Sequence, residues 1–347
     1  MISDVLQALR CPECWSRALE HETFEQAAAD GHIVDGVLWC SDCRNWYPIA
    51  GGVLELLPLS LAYNEDRDKF WNSHDHRLRA HDLRPIGATP AQSSESPEAA
   101  QQRHFDWYAR NATQTYDAYE RTAFWQAVDN LTFREWRKRI ARGSWVLDVG
   151  CAQGRSSAGL IDCDVTIVGF DVSKALVRQA HERYARNANG ARAVFFVGNA
   201  SRFPFVEDSF DYVLVYGVLH HLNDPAYACA EISRVLKPGG TYFGLENNVT
   251  VLRPLFDLLQ RFRPEWHEEA GAKPLMSARE RTQWFAAAGI VVDAHSSVFL
   301  PPHLANCFNA GPAQRLIEMT DRVVRKVPFL RQQGGLLVAT GTKTLRN

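Results

Sequence analysis

Residues 146–157 read VLDVGCAQGRSS. An apolar run leads into an acid, Asp148, then into a turn of small residues, then into small polar residues that can open a helix. That order, strand to glycine loop to helix start, belongs to a nucleotide-binding βα unit. Glycines in such a loop permit positive φ and let a ligand approach the backbone closely. The middle glycine of the expected G-x-G-x-G is replaced by Ala152. A dinucleotide needs that glycine so that its pyrophosphate can meet the backbone. The loop therefore argues for a ligand site and against NAD.

Outward from this loop, strand and helix patterns alternate. VTIVGFDVS (165–173) reads as a second strand, followed by the helical period of KALVRQAHERYARNA (174–188). AVFFVGNA (193–200) and FDYVLVYGVL (210–219) follow as strands. AYACAEISRVL (226–236) is a helix that KPGG should stop, before the strand TYFGLEN (241–247). VVDAHSSVF and GLLVATGT near the end add two candidates. Strands alternating with helices require a mostly parallel sheet covered on both faces. The near-continuous apolar content of the first four strands agrees.

The chain of 347 residues is 46% hydrophobic and 22% charged, an ordinary globular composition for one large domain and a smaller one. Its net charge of −2 argues against a protein that coats nucleic acid. No apolar run approaches a bilayer span, and MISDVLQALRCPEC lacks the basic and apolar regions of a secretory signal, so the expected location is cytoplasmic. Three regions separate. Residues 1–58 carry paired cysteines; residues 59–104, with IGATPAQSSESPEAAQQ, read as a linker or mobile segment; residues 105–347 hold the alternating pattern.

Four of the eight cysteines form Cys11-Pro-Glu-Cys14 and Cys40-Ser-Asp-Cys43. Two such knuckles can close a thiolate tetrahedron around Zn²⁺, and a unit this small needs ligation to supplement its thin core. Nothing suggests an open coordination position, so the metal would be structural. The bland alternative is four unliganded core thiols. LRCPECWSRALE and WCSDCRNWYPIAGGVLELLP resemble the small zinc-ribbon proteins that activate tRNA, rRNA and translation-factor methyltransferases, with Tyr47, Pro48, Ile49, Gly51, Gly52, Leu56 and Leu57 fitting the family's ending. The resemblance implies a stabilising or docking module. Nine Asp/Glu against three Arg in residues 1–58 speak against a grip on RNA.

The ordered set Asp148-Val-Gly150-Cys-Ala152-Gln153-Gly154, Asp171 at the end of the second strand, Gly198-Asn199-Ala200, SFD, HH and LKPGG resembles the class I S-adenosylmethionine (SAM)-dependent methyltransferases, mainly the small-molecule type. It covers roughly residues 105–345. It implies an α/β fold with a Rossmann-like, doubly wound, seven-stranded sheet, and SAM as cofactor. SAM lacks a pyrophosphate, so Ala152 is tolerable. By resemblance, Gly150, Ala152, Gln153 and Gly154 shape the loop around the amino acid part of SAM, and Asp148 orients it. Asp171 takes the ribose, Val172 lies beside the adenine, Asn199 and Ala200 meet the adenine edge, and Tyr216 flanks the methionine part. A decayed cofactor site on the same fold is the alternative.

His220 and His221 close the fourth strand at the carboxyl edge where such sheets bind ligands, and Glu246 closes the fifth beside them. A His–Glu pair could deprotonate an acceptor hydroxyl or amine. The competing reading is that one histidine packs or caps the Asn223-Asp224-Pro225 turn. Residues 247–280 read as a lid over the acceptor, or as an oligomer contact. The Trp- and Tyr-rich helices of 105–140 would cap SAM from the other side. The expected activity is methyl transfer to an O or N atom of a small molecule or biosynthetic intermediate. The expected partner is a small-molecule acceptor, with no nucleic acid, no membrane span and room for a homo-oligomer. The rivals are an rRNA or tRNA methyltransferase with a zinc finger, and a non-catalytic methyltransferase-like partner protein.

Overall fold

A computed structural model describes residues 3–27, 32–86, 96–111, 120–185, 192–251, 253–262 and 276–345. Four strands at the N-terminal end, β1 (Leu19–Gln26), β2 (Ile33–Cys40), β3 (Trp46–Ala50) and β4 (Val53–Leu54), form an antiparallel sheet in chain order. Helices α1 (Asn64–Ala80) and α2 (Pro97–Asn111) follow. The stretch expected as a mobile linker is thus helical over most of its described length, and α2 crosses the boundary placed at 104. Composition hid this: α1 is polar on most of its surface, yet it buries Phe70, Trp71 and Leu78 against Val37, Trp39 and Trp46 of the small sheet. Residues 87–95, which hold most of the Pro/Ser/Ala/Gln run, lie outside the described residues.

Helix α3 (Ala123–Arg137) leads into a second sheet made of β5 (Trp145–Val149), β6 (Thr166–Asp171), β7 (Arg192–Val197), β8 (Phe210–Tyr216), β9 (Leu236–Asn247), β10 (Ile290–Ser297) and β11 (Leu336–Lys343). The strand order is β10-β11-β9-β8-β5-β6-β7. β5 through β9 pair in parallel, and β11 inserts antiparallel between β9 and β10. This is the Rossmann-like, seven-stranded fold expected. Order reverses at β5, where β6 lies on one side and β8 on the other, which opens a crevice at the carboxyl ends of these strands. One departure is local. The KPGG segment runs as the start of β9, with Gly239 at φ +77° and a register shift between Phe210 and Tyr212.

The two sheets share one core. Leu54 and Leu56 of the small unit pack in the same apolar cluster as Val168, Phe170 and Phe205 of the large one. Main-chain bonds stitch the seam. Leu56 N–H donates to the Val197 carbonyl at 2.8 Å, and Glu55 bridges Val197 in parallel beside the edge strand β7. Arg10 N–H donates to the Pro204 carbonyl at 3.0 Å, and Val206 N–H to the Ala8 carbonyl at 2.8 Å. The small sheet therefore extends the large one across an edge that would otherwise stand open.

Candidate active site and metal centre

The carboxyl-edge crevice is a pocket floored by the loop after β5. Gly150 stands at φ +65°, and a Cβ there would lie 2.6 Å from Val218 Cγ2, so only glycine fits. Ala152 stands at φ +44°, in the left-handed region that costs an alanine on the order of 1 kcal/mol. The loop thus keeps the backbone shape of the glycine version without the glycine. Its compensation is visible: Ala152 N–H donates to Asp171 Oδ2 at 3.1 Å, while Ser173 N–H donates to Oδ1 at 2.9 Å.

Asp171 lies at the β6 end with backbone donors as partners. Burial pushes its carboxyl up to about 6, against the lowering pull of the Ser173 and Ala152 amides. Gly150, Ala152, Asp171, Val172, Asn199, Ala200 and Tyr216 all line the pocket, as the sequence pattern expected. Three other expected cofactor residues do not. Asp148 is fully buried beneath the loop, where Ser156 and Ser157 hydroxyls donate to its Oδ2 at 2.7 and 2.5 Å. Burial raises it to about 6 as well. It braces the floor and meets the pocket only through Ser156. Gln153 turns away to donate to Glu120. Gly154, at φ +80°, packs on Tyr184, where a Cβ would meet the ring at 2.9 Å. A first glycine, an acid and a strand can be read as a loop; which of its side chains point down into the core cannot.

Across the pocket stand the histidines, in a short turn, Leu219–His221, after β8. His220 and His221 both line the cavity. Glu246, in contrast, lies beneath it. Its Oε1 accepts from the amides of Val218 and Leu219 at 3.0 and 2.8 Å, and its Oε2 lies 2.7 Å from His220 Nδ1. Burial would raise this carboxyl, but the bond and charge of His220 outweigh it and hold Glu246 below the usual range. Glu246 accepts at Nδ1 of His220 and so fixes the orientation of the ring at the pocket wall.

Two pocket walls come largely from the helices of 105–140 expected to cap this side, but their individual residues were not singled out in the sequence. Gln101, His104, Phe105 and Tyr108 of α2 form one; Phe105 meets the His221 ring edge-on at 5.3 Å, and Gln101 donates to the His221 carbonyl. The second is a clamp around Asp129 of α3. Arg155 binds it with two nitrogens at 2.9 and 3.0 Å, and Tyr216 Oη donates to it at 2.5 Å. Arg155 also lies over the Trp125 ring. These are common residues on helices that carry no spacing rule. Of the expected lid, 247–280, Asn247 lines the pocket while no described residue of α4 (Arg253–Phe262) does, and 252 and 263–275 lie outside the described residues.

In the small unit, Cys11, Cys14, Cys40 and Cys43 place their sulfurs within 4.8 Å of one another. Cys11 and Cys43 are 3.6 Å apart, Cys14 and Cys40 3.5 Å. A tetrahedron with Zn–S arms of about 2.3 Å has edges near 3.8 Å, so the cluster fits zinc. Both knuckles close alike. Trp15 N–H donates to the Cys11 carbonyl at 3.0 Å and Arg44 N–H to the Cys40 carbonyl at 2.9 Å, each with positive φ. All four ligands are protein thiols, so the site is structural.

Comparison with known proteins agrees with this geometry. Residues 147–244 match the methyltransferase domain family, and residues 3–52 match the Trm112p-like proteins. The N-terminal unit is thus similar to the Trm112p-like proteins, and the strands and loops from β5 into β9 are similar to the methyltransferase domain family. It is 31% identical over 148 residues to the O-methyltransferase rstn1 of Aspergillus nomiae, covering 39% of this chain and 65% of that protein. It is 31% identical over 182 residues to the O-methyltransferase cnsE of Penicillium expansum, covering 48% and 62%. The chain thus spans under two thirds of the length of these two curated relatives. Among solved structures, a chain from the complex of the Haloferax volcanii Trm112 methyltransferase activator with a methyltransferase superposes with a TM-score of 0.48 and 21% identity. It covers 71% of this chain and 99% of its own length. Among the described residues no helix is long and apolar enough to cross a membrane.

Proposed function

We propose that this protein transfers a methyl group from SAM to an oxygen or nitrogen of a small molecule or biosynthetic intermediate. Relatives named as O-methyltransferases favour oxygen. The observation that carries the reading is one pocket lined on one side by the Asp171 loop and on the other by His220. When bound, SAM supplies a methyl group on a sulfonium, an activated donor. The protein's work is then to place two reactants in line and to take a proton.

Gly150 and Ala152 form the floor for the amino acid part. Asp171 accepts the ribose hydroxyls, Val172, Asn199 and Ala200 frame the adenine, and Tyr216, fixed by Asp129, flanks the methionine part. His220 Nε2 receives the proton of the acceptor as its heteroatom attacks. Glu246 is a positioning residue that holds the tautomer and orients the ring. His221 shapes the acceptor wall with Phe105. The zinc ribbon, residues 1–58, is a stabilising module in this reading, and four thiols on zinc with four others outside any disulfide suit a reducing cytoplasm.

Calorimetric titration with S-adenosylhomocysteine tests the cofactor half. Wild type should bind, and Asp171→Ala should lose at least about a hundredfold in affinity. His220→Ala and Glu246→Gln should keep that affinity and lower kcat by about 10²–10⁴. No binding by the wild type would return the molecule to a scaffold role.

A further inference from the structure

The chain carries one surface that this reading leaves unused. Residues 321–331, DRVVRKVPFLR, run from the end of α5 (Ala310–Val324) into a short turn. Val323, Val327, Phe329 and Leu330 are exposed there, Phe329 at 70%. Interleaved with them are Arg322, Arg325, Lys326 and Arg331, all exposed. The only acid of the segment, Asp321, is buried; it accepts from Ser297 Oγ and the Val298 amide and pairs with Arg325 at 3.4 Å, so Arg322, Lys326 and Arg331 are the cations left to face outward. Beside it lies the start of α4. Thr250 Oγ1 donates to the Gln333 carbonyl at 3.0 Å, and Val251 N–H to Gln333 Oε1 at 2.9 Å. Val251 and, at the far end of α4, Phe262 are exposed as well, with Arg253 and Arg261 on the same helix.

We infer that this face docks on an anionic lipid surface. Phenylalanine, leucine and valine standing out of the protein among arginines and lysines match an interfacial segment. The apolar tips enter the headgroup boundary while the cations meet lipid phosphates. Charge complementarity selects this occupant. Residues 249–262 and 321–331 hold six Arg/Lys and two Asp, in a chain whose net charge is −2. A second copy seated here by two-fold symmetry would bring one net-positive patch against another. The attachment is peripheral, since no described helix can span a bilayer.

The position matters for the pocket. Asn247, the last residue of β9, lines it, and the next residue, Asn248, donates to the carbonyls of Gln332 and Gly334, which follow the docking segment. The pocket wall at Asn247 is thus tied through one buried side chain to the turn that carries the docking face.

Cosedimentation of the full chain with vesicles tests this. Phosphatidylcholine vesicles with and without 30% (about a third) phosphatidylglycerol are compared, in about 0.1 M salt. Binding is expected only with the anionic lipid, falling as salt rises. Arg322→Gln with Lys326→Gln should weaken partition about 25-fold, and Phe329→Ser about tenfold. Both sites are exposed, so the fold should stay, checked by an unchanged melting temperature and S-adenosylhomocysteine affinity. Retained ligand affinity also keeps a failure here distinct from a failure of the methyltransferase reading. Equal binding to both vesicle types, no binding to either, or a Phe329-dependent dimer in solution would overturn the proposal.

Discussion

The two sheets of this molecule hold themselves together in different ways. The seven-stranded sheet buries near-continuous apolar strands on both faces, and its core includes Val168, Phe170, Val213 and Val215 at or near zero exposure. The four-stranded sheet has too few residues for that. It depends on four thiols at one end and, at the other, on being an extension of its larger neighbour across the β7 edge. A unit with a thin core can be fixed by ligation and docking; a unit with a thick one needs neither. Because the apolar clusters merge across the seam, the difference in origin should not appear as two separate unfolding events.

Metal removal gives the largest test. Cys40→Ser, or a strong chelator on the wild type, should cost the small unit well over about 5 kcal/mol, since zinc supplies folding free energy directly. The expected readout is one cooperative melting transition shifted down by more than about 10 °C, measured by calorimetry. Two transitions, with the upper one unmoved, would show that the larger sheet is indifferent to its neighbour and would break the comparison.

The seam itself comes next. Glu55 is buried between the sheets, with Arg67 Nε at 3.0 Å and Lys174 Nζ at 3.0 Å; Lys174 also meets Asp66 at 2.6 Å. Lys174 opens the helix that follows Asp171-Val172-Ser173. Arg67 already has two buried nitrogens without a partner among the described residues, facing the Trp46 and Tyr47 rings. Removing one member of such a cluster strands the others, so Glu55→Ala should destabilise by about 3–5 kcal/mol by urea denaturation. Replacement by Gln, which keeps acceptors, should cost less. A loss under about 1 kcal/mol for Glu55→Ala would mean that the seam rests on apolar packing alone.

What could be read in advance follows the same division. The cysteine spacing, the loop with Asp148 and Gly150 and the strand-ending Asp171 are short-range patterns, and each has a physical reason within a few residues. The four-cysteine cluster, the sheet and part of the pocket lining at its carboxyl edge were legible for that reason. The His220–Glu246 pair was legible as two strand ends at one edge. The rest depends on partners distant in sequence. Nothing in the polar sequence of 64–80 announces that Phe70 and Trp71 will meet Trp39 and Trp46. Glu55 looks like any surface acid until Lys174, 119 positions away, is placed on it. Asp148 is readable as a loop acid, but its turn toward Ser156 and Ser157 is set by packing beneath the loop.

The smallest effect sharpens the comparison at the level of single carboxylates. The seam acid Glu55 has two cations within 3.0 Å. The cofactor-loop acid Asp171 is held instead by the Ala152 and Ser173 amides, and burial lifts it to about 6. Its folded value is raised, so its contribution to stability is full below about pH 4 and lost as pH rises through 6. In the ligand-free protein, an ionised Asp171 is a cost. A ligand that donates hydroxyl hydrogens to the carboxylate recovers that cost and favours the ionised form. S-adenosylhomocysteine affinity should therefore be flat above about pH 7 and fall about tenfold between there and pH 5, with close to one proton taken up per site emptied. Asp148 is raised to about 6 too, so it must be separated. Asp148→Asn should keep the profile and Asp171→Asn should flatten it at low affinity. A profile that disappears with Asp148→Asn would put the titrating group beneath the loop, and the cofactor side of the pocket would then be held by its buried brace more than by its visible acid.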